Sequence, residues 1–118
     1  MQYNPTNVFA KIMRGEIPCT KVYEDEHTLA FRDVQPAAPL HVLVIPKGKF
    51  TSFNDFVVGD ATRVGSFFQT VQKIAAQEGL VEGGYRLITN HGADASQSVA
   101  HFHVHILGGK QLGALLSK

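Results

Sequence analysis

Seven residues near the C-terminal end, His101-Phe102-His103-Val104-His105-Ile106-Leu107, alternate strictly between imidazole and apolar side chains. Period-two alternation belongs to a strand with one face in the core, so it predicts Phe102, Val104 and Ile106 pointing inward and His101, His103 and His105 lining the opposite face. Half of the chain's six histidines then share one surface. Each imidazole can donate, accept or carry a proton near neutral pH, and at ~6.6 Å steps the row can pass protons along a line. The plainer reading, an exposed strand with a polar outer face, would be served equally well by Ser or Lys. A single metal ion cannot collect all three rings. On a flat strand the outer pair lies roughly 13 Å apart at the Cα atoms, whereas zinc–nitrogen bonds are about 2.1 Å long. A metal held by two of these histidines and a ligand from elsewhere stays open.

What surrounds this strand is bounded by size and charge. The 118 residues are expected to form one domain, residues 1–118, large enough to bury a core without staples. Eleven basic against ten acidic residues give a net charge of +1, which argues against an extended nucleic-acid surface and for any anion being gripped locally. Cys19 is alone, so neither an intrachain disulfide nor a cysteine zinc cluster is expected, and a reducing compartment follows. The first residues lack an apolar signal core and no apolar run approaches membrane-spanning length. The expectation is a soluble cytoplasmic protein.

Taken in order, Asn4-Pro5-Thr6 offers a helix start, and Val8, Phe9, Ile12 and Met13 follow at helical spacing before Gly15. This short helix either packs in the core or walls a ligand pocket. Lys21 to Glu24 and Thr28 to Val34 read as a hairpin turning at Asp25 and Glu26. In its second strand Asp33 shares a face with Leu29 and Phe31; taken alone it is a turn-forming aspartate ahead of Pro36 and Pro39. His41 to Ile45 is a nearly continuous apolar run, the pattern of a central strand, closed by Pro46. Ser52 to Asp55 fits a helix cap. From Asp60 onward Val64, Phe67, Phe68, Val71, Ile74 and Ala75 mark a long amphipathic helix that Gly79 ends. Tyr85 to Asn90 is a further strand. The loop from His91 to Ser98 is small and polar throughout, with backbone amides suited either to an anion nest or to a plain surface loop. Leu112, Leu115 and Leu116 in the tail hint at a contact with a second copy.

The run from His101 to Leu107 fits the His-x-His-x-His-x-x pattern, with apolar x, of the histidine triad family. The likeness extends to Phe31-Arg32-Asp33 with Pro36 and Pro39, to His41-Val42-Leu43-Val44-Ile45-Pro46-Lys47, and to Gln97-Ser98-Val99. It covers the chain from Val8 to Gly109 and resembles the Hint branch, in which Asn90 stands where the Fhit branch has glutamine. The resemblance implies an α+β, HIT-like fold: a five-stranded antiparallel sheet with one long and one short helix, extended across a homodimer. It implies a phosphoramidase that cleaves the P–N bond between a purine nucleoside 5′-monophosphate and an amine, with no cofactor.

In that family the middle histidine, here His103, is the nucleophile, and a neutral imidazole attacking phosphorus would split one displacement into two through a nucleotidyl-histidine. His101, hydrogen-bonded onward to His41, would orient it; His105 with backbone amides near Ser96 and Gln97 would stabilise phosphoryl oxygens. Ser98 would help protonate the departing amine, Asp33 would hold both ribose hydroxyls, and Asn90 would meet the phosphate or the 5′ side of the ribose. Val8, Phe9, Ile12, Phe31, Val34 and Leu43 would form the base pocket, with Arg32 at its edge. Three departures qualify the likeness. Asn7, Ala10 and Lys49 occupy the places of a structural zinc site in many bacterial relatives, so no metal is expected. Ala95-Ser96 stands where relatives often carry glycine, and Arg32 replaces a smaller polar residue or histidine. The alternatives are a dinucleoside polyphosphate hydrolase of the Fhit kind, a nucleotide-binding partner protein with vestigial catalysis, and a metal-dependent hydrolase.

Overall fold

A computed structural model describes residues 2–116. Its frame is one five-stranded sheet, antiparallel throughout, built from β1 (Lys21–Glu24), β2 (Thr28–Arg32), β3 (Leu40–Pro46), β4 (Tyr85–Ile88) and β5 (Val104–Gly108) in the spatial order β1-β2-β3-β5-β4. The nearly continuous apolar run of β3 is explained by its central place, where both of its faces are covered.

On one face Ala30, Val42, Val44, Val104 and Ile106 pack against α3 (Ala61–Gln77), which buries Phe67, Val71, Ile74 and Ala75 at helical spacing. Asp60 caps that helix by accepting from the Thr62 N–H, and Gly79 follows its end at φ +77°, where a side chain would be strained. The Ser52–Asp55 signal is a reciprocal capping box that starts a separate single turn, α2 (Phe53–Phe56). Phe56 from that turn stacks on Phe102 with ring centroids 4.7 Å apart.

On the other face Leu29, Phe31, Leu43 and Ile45 meet Phe9 from α1 (Val8–Met13). Here the cap is Asn7, whose side chain accepts from the Ala10 N–H, while the Asn4 side chain accepts from the Thr6 N–H in a turn before the helix.

Several boundaries are shorter than the sequence pattern suggested, each because a backbone group is taken by something other than a strand. The strand expected from His101 begins only at Val104. Pro46 brings no N–H to continue the ladder, and the Phe102 N–H goes to the Phe50 carbonyl instead. Phe102 still reaches the α3 face and His103 still opposes it. The strand expected to reach Val34 stops at Arg32, where the Asp33 carboxylate accepts from the Gln35 N–H and turns the chain. The one expected to reach Asn90 stops at Ile88, and the Thr89 hydroxyl then donates to the His103 carbonyl. No helix among the described residues is long and apolar enough to cross a membrane.

Candidate active site

Because His41, Leu43 and Ile45 alternate with Val42 and Val44, the sheet face under α1 carries His41 beside Phe31 and Leu43. β5 places His105 directly opposite Leu43, and His103 follows on the same side. The row is covered rather than open: His101 is 0% exposed and His103 5%. Phe9 lies edge-on to the His103 ring at 4.9 Å.

Hydrogen-bond partners fix which ring nitrogens carry protons, since a carbonyl only accepts and a backbone N–H only donates. His103 Nδ1 lies 2.7 Å from the His101 carbonyl, so Nδ1 carries the proton and Nε2 keeps its lone pair. His101 Nε2 donates to the Pro46 carbonyl at 3.0 Å, and its Nδ1 accepts from the Tyr3 hydroxyl at 2.7 Å. His41 Nδ1 accepts from the Ala37 N–H at 3.0 Å, so its Nε2–H donates to His105 Nδ1 at 2.8 Å. That leaves the proton of His105 on Nε2. The sequence-based link from His101 to His41 is therefore corrected. β3 and β5 run antiparallel in a register that sets His41 opposite Leu107, within reach of His105, while His101 lies past the end of the ladder.

Burial lowers the proton affinity of all four rings. It pushes His101 down to about 4 against the opposing pull of the Pro46 carbonyl, and His105 down to about 4 with help from His103 and His41. His103 is lowered by burial although the His101 carbonyl favours its protonated form, and His41 is lowered by burial although Asp33 opposes it. At neutral pH the row is uncharged. It positions lone pairs and N–H groups rather than conducting charge.

Beside it opens a cavity of about 310 Å³, near the lower size of small-molecule pockets. Val8, Phe9 and Ile12 wall it from α1, Phe31 and Leu43 from the sheet, and Val34 from an exposed rim; Asp33, Ser98, His103 and His105 supply its polar groups. Ile17, Pro18, Cys19 and Val99 also line it, which the sequence reading did not assign, although the Ile17-Pro18-Cys19 run leading into β1 was the available signal. Asp33 Oδ1 accepts from Gln35 N–H at 2.8 Å, and Oδ2 lies 3.5 Å from His41 Nε2. Its turn-forming reading and its place at the site are thus compatible.

Other expected site residues are placed differently. The Arg32 side chain follows Thr28 and Ala30 to the α3 face, where its guanidinium pairs with Glu78 at 2.8 Å, so only its backbone can meet the cavity. Asn90 is not among the residues lining the cavity. The Ser96 and Gln97 amides are taken by the loop itself, donating to the Ala93 and Gly92 carbonyls at 3.0 and 3.1 Å, because the chain makes a 3₁₀ turn (Ala93–Ala95) there. Ser96 leaves that turn at φ 57°, a left-handed conformation that glycine adopts more readily. The Gln97 side chain is a staple: its amide donates to the Thr51 and Val99 carbonyls and its oxygen accepts from the Gly92 N–H.

Asp33, His41 and His105 bring three potential ligand atoms within 4.8 Å of one another. The donor set does not suit a cation. The Ala37 N–H holds the His41 proton on Nε2, the nitrogen that would have to coordinate. At the other place considered for a metal, the Asn7 side chain is committed to the Ala10 N–H.

Sheet, buried imidazole row and adjoining cavity together define an α+β protein with an uncharged histidine, His103, whose ring lines a small-molecule-sized pocket. A family model described as HIT domain matches residues 14–112, and the chain belongs to the HIT domain family. It is 47% identical over 117 residues to a 13.2 kDa HIT-like protein of Azospirillum brasilense, covering 98% of this chain and 96% of that one. It is 44% identical over 110 residues to the purine nucleoside phosphoramidase of Escherichia coli K12, covering 93% and 92%. Among solved structures, a HIT family hydrolase from Clostridium thermocellum superposes with a TM-score of 0.86 at 41% identity, over 94% of this chain and 96% of that one.

Proposed function

We propose that the protein hydrolyses nucleoside 5′-phosphoramidates, releasing a purine nucleoside monophosphate and an amine, through a covalent intermediate on His103. The observation that carries this reading is the state of His103: its Nδ1–H is held by the His101 carbonyl, and its unprotonated Nε2 belongs to a ring lining the cavity. The 44% identity to the phosphoramidase of Escherichia coli supports the same chemistry.

In the first step His103 Nε2 forms a bond to the α-phosphorus as the P–N bond to the amine breaks. The Ser98 hydroxyl, beside it in the cavity, supplies a proton to the amine nitrogen. The His105 Nε2–H donates to a phosphoryl oxygen, its far nitrogen held by His41. In the second step water attacks phosphorus, the nucleotidyl bond to His103 breaks, and the water's protons pass to the phosphate and back to Ser98. Asp33 accepts the ribose hydroxyls, and Val8, Phe9, Ile12, Phe31, Val34 and Leu43 enclose the base. Ser96 and Gln97 act at a distance from the ligand, through the turn and the staple they hold, and the Arg32 side chain through its pair with Glu78, while Asn90 lies outside the cavity lining and is assigned no role. The protein works as a homodimer joined at β4, the sheet edge where Leu87 stands 45% exposed.

The test is turnover of adenosine 5′-phosphoramidate followed by phosphorus NMR. His103→Ala should reduce kcat by at least about 10³-fold, and acid quenching of the wild type should trap a nucleotide on His103. Normal hydrolysis by the alanine variant would sink the reading. Turnover of dinucleoside polyphosphates alone would replace it with the Fhit-like activity.

A further inference from the structure

His101 is wholly buried, contributes no side chain to the cavity, and yet spends both ring nitrogens on partners far away in sequence. Its Nε2–H is on Pro46 at the end of β3, and its Nδ1 lone pair is met by the hydroxyl of Tyr3, 98 residues away. The backbone carbonyl of the same residue accepts the Nδ1–H that fixes the His103 tautomer. We infer that Tyr3 is a positioning residue for the reaction, acting through His101: its hydroxyl locks the His101 ring, the ring holds the backbone at 101, and that carbonyl keeps His103 Nε2 free and aimed.

The chemistry leaves little else that could satisfy this ring. A lone pair buried on Nδ1 needs a donor. The other tautomer offers no escape, because an unprotonated Nε2 would face the Pro46 carbonyl lone pairs. Without the Tyr3 hydroxyl, either the nitrogen stays unmet or the 101–103 segment shifts to admit water. This segment carries no ladder pairing of its own, since β5 begins at Val104; besides the Phe102 N–H on the Phe50 carbonyl it is held by side-chain contacts, Tyr3 and Pro46 on the His101 ring and the Thr89 hydroxyl on the His103 carbonyl. Tyr3 also meets the His101 ring edge-on, with centroids 5.5 Å apart. The arm bearing Tyr3 leads through Asn7 into α1, whose Phe9 touches both His101 and His103. One N-terminal segment thereby fixes the nucleophile and walls the pocket.

The inference rests on the proposed phosphoramidase reading, and the test separates the two. In the 118-residue chain, Tyr3→Phe keeps the ring and removes the hydroxyl. With adenosine 5′-phosphoramidate, kcat should fall roughly tenfold, as expected when a reacting group is slightly misplaced. KM should stay within about twofold, since Tyr3 does not line the cavity. Two-bond ¹H–¹⁵N spectra, read independently of turnover, should change the His101 Nδ1 signal and turn the single His103 tautomer into an average of two. Wild-type kcat in Tyr3→Phe, or unmoved His103 signals, would overturn the inference, as would a loss of thermal stability with kcat unaltered. If the wild type itself fails to turn over the phosphoramidate, the functional reading falls, while the spectra still decide whether Tyr3 governs the His103 tautomer.

Discussion

Acidification is the perturbation that the buried histidines make quantitative. His101 and His105 start from an ordinary value of 6.5 and are each pushed down to about 4 by burial. The folded values lie below the unfolded ones, so between these limits the unfolded chain binds protons that the native state refuses. Stability from these groups is complete above about pH 6.5 and is lost as pH falls toward 4. At roughly 1.4 kcal/mol for each pH unit, the His101 drop from 6.5 to about 4 comes to about 3 kcal/mol. His105 is partly accessible and contributes less after screening. A loss of about 3 to 5 kcal/mol is a large share of the 5–15 kcal/mol that holds a typical domain. Urea unfolding followed by circular dichroism from pH 7.5 to 4.5 should therefore show the midpoint falling steeply below pH 6.5. The comparison protein is His101→Gln, whose amide can donate to Pro46 and accept from Tyr3 without titrating; its slope should be shallower by about one proton, or roughly 1.4 kcal/mol per pH unit. A flat wild-type profile, or a variant with the wild-type slope, would refute the reasoning.

Phe102, 1% exposed and stacked on Phe56, should cost about 3–5 kcal/mol when truncated to alanine, measured as a lowered urea midpoint; a loss below about 1 kcal/mol would mean that the bend before β5 is held by its hydrogen bonds alone. Association through β4 should give a dimer in sedimentation at micromolar concentration, and Leu87→Lys, which puts a charge on that edge, should shift the protein toward monomer. A wild-type chain that sediments only as monomer would refute the dimer.

The sheet was legible because its strands are marked by burial patterns that a one-dimensional reading can detect. β3 is apolar apart from His41 and central; α3 carries a stripe from Phe67 to Ala75, with Asp60 capping its start and Gly79 just past its end. The cavity wall was legible for another reason: Phe9 and Phe31, brought together by the family likeness, meet with ring centroids 5.6 Å apart. Illegible were the pairings decided by register and by competition for backbone groups. Nothing in the spacing says that His41 faces His105 rather than His101, because that depends on which residues of β3 and β5 lie opposite one another. Nothing in a polar loop says that its amides are spent within a 3₁₀ turn, nor that Arg32 is drawn to Glu78 at the end of α3. Tyr3 gave no signal at all, since its partner is 98 residues away and no periodicity links them.

The same geometry explains why so much of this site is buried and uncharged. An imidazole can fail as a nucleophile in two ways at neutral pH: it can take up a second proton, or its one proton can sit on the wrong nitrogen. Burial disposes of the first failure by making the cation unfavourable, as the lowered affinity of His103 shows. The His101 carbonyl disposes of the second, since Nδ1–H is the only tautomer it can accept from. These two devices oppose each other electrostatically, because a carbonyl that holds Nδ1–H also favours the charged ring. Desolvation prevails here, and the balance depends on keeping water out of the 101–103 segment. Tyr3 and Phe9 close that segment from one side, and Phe102 anchors it from the other. Acid lability and an available lone pair are then two consequences of one arrangement, so a substitution that wets His101 should flatten the pH dependence of stability and lower kcat together.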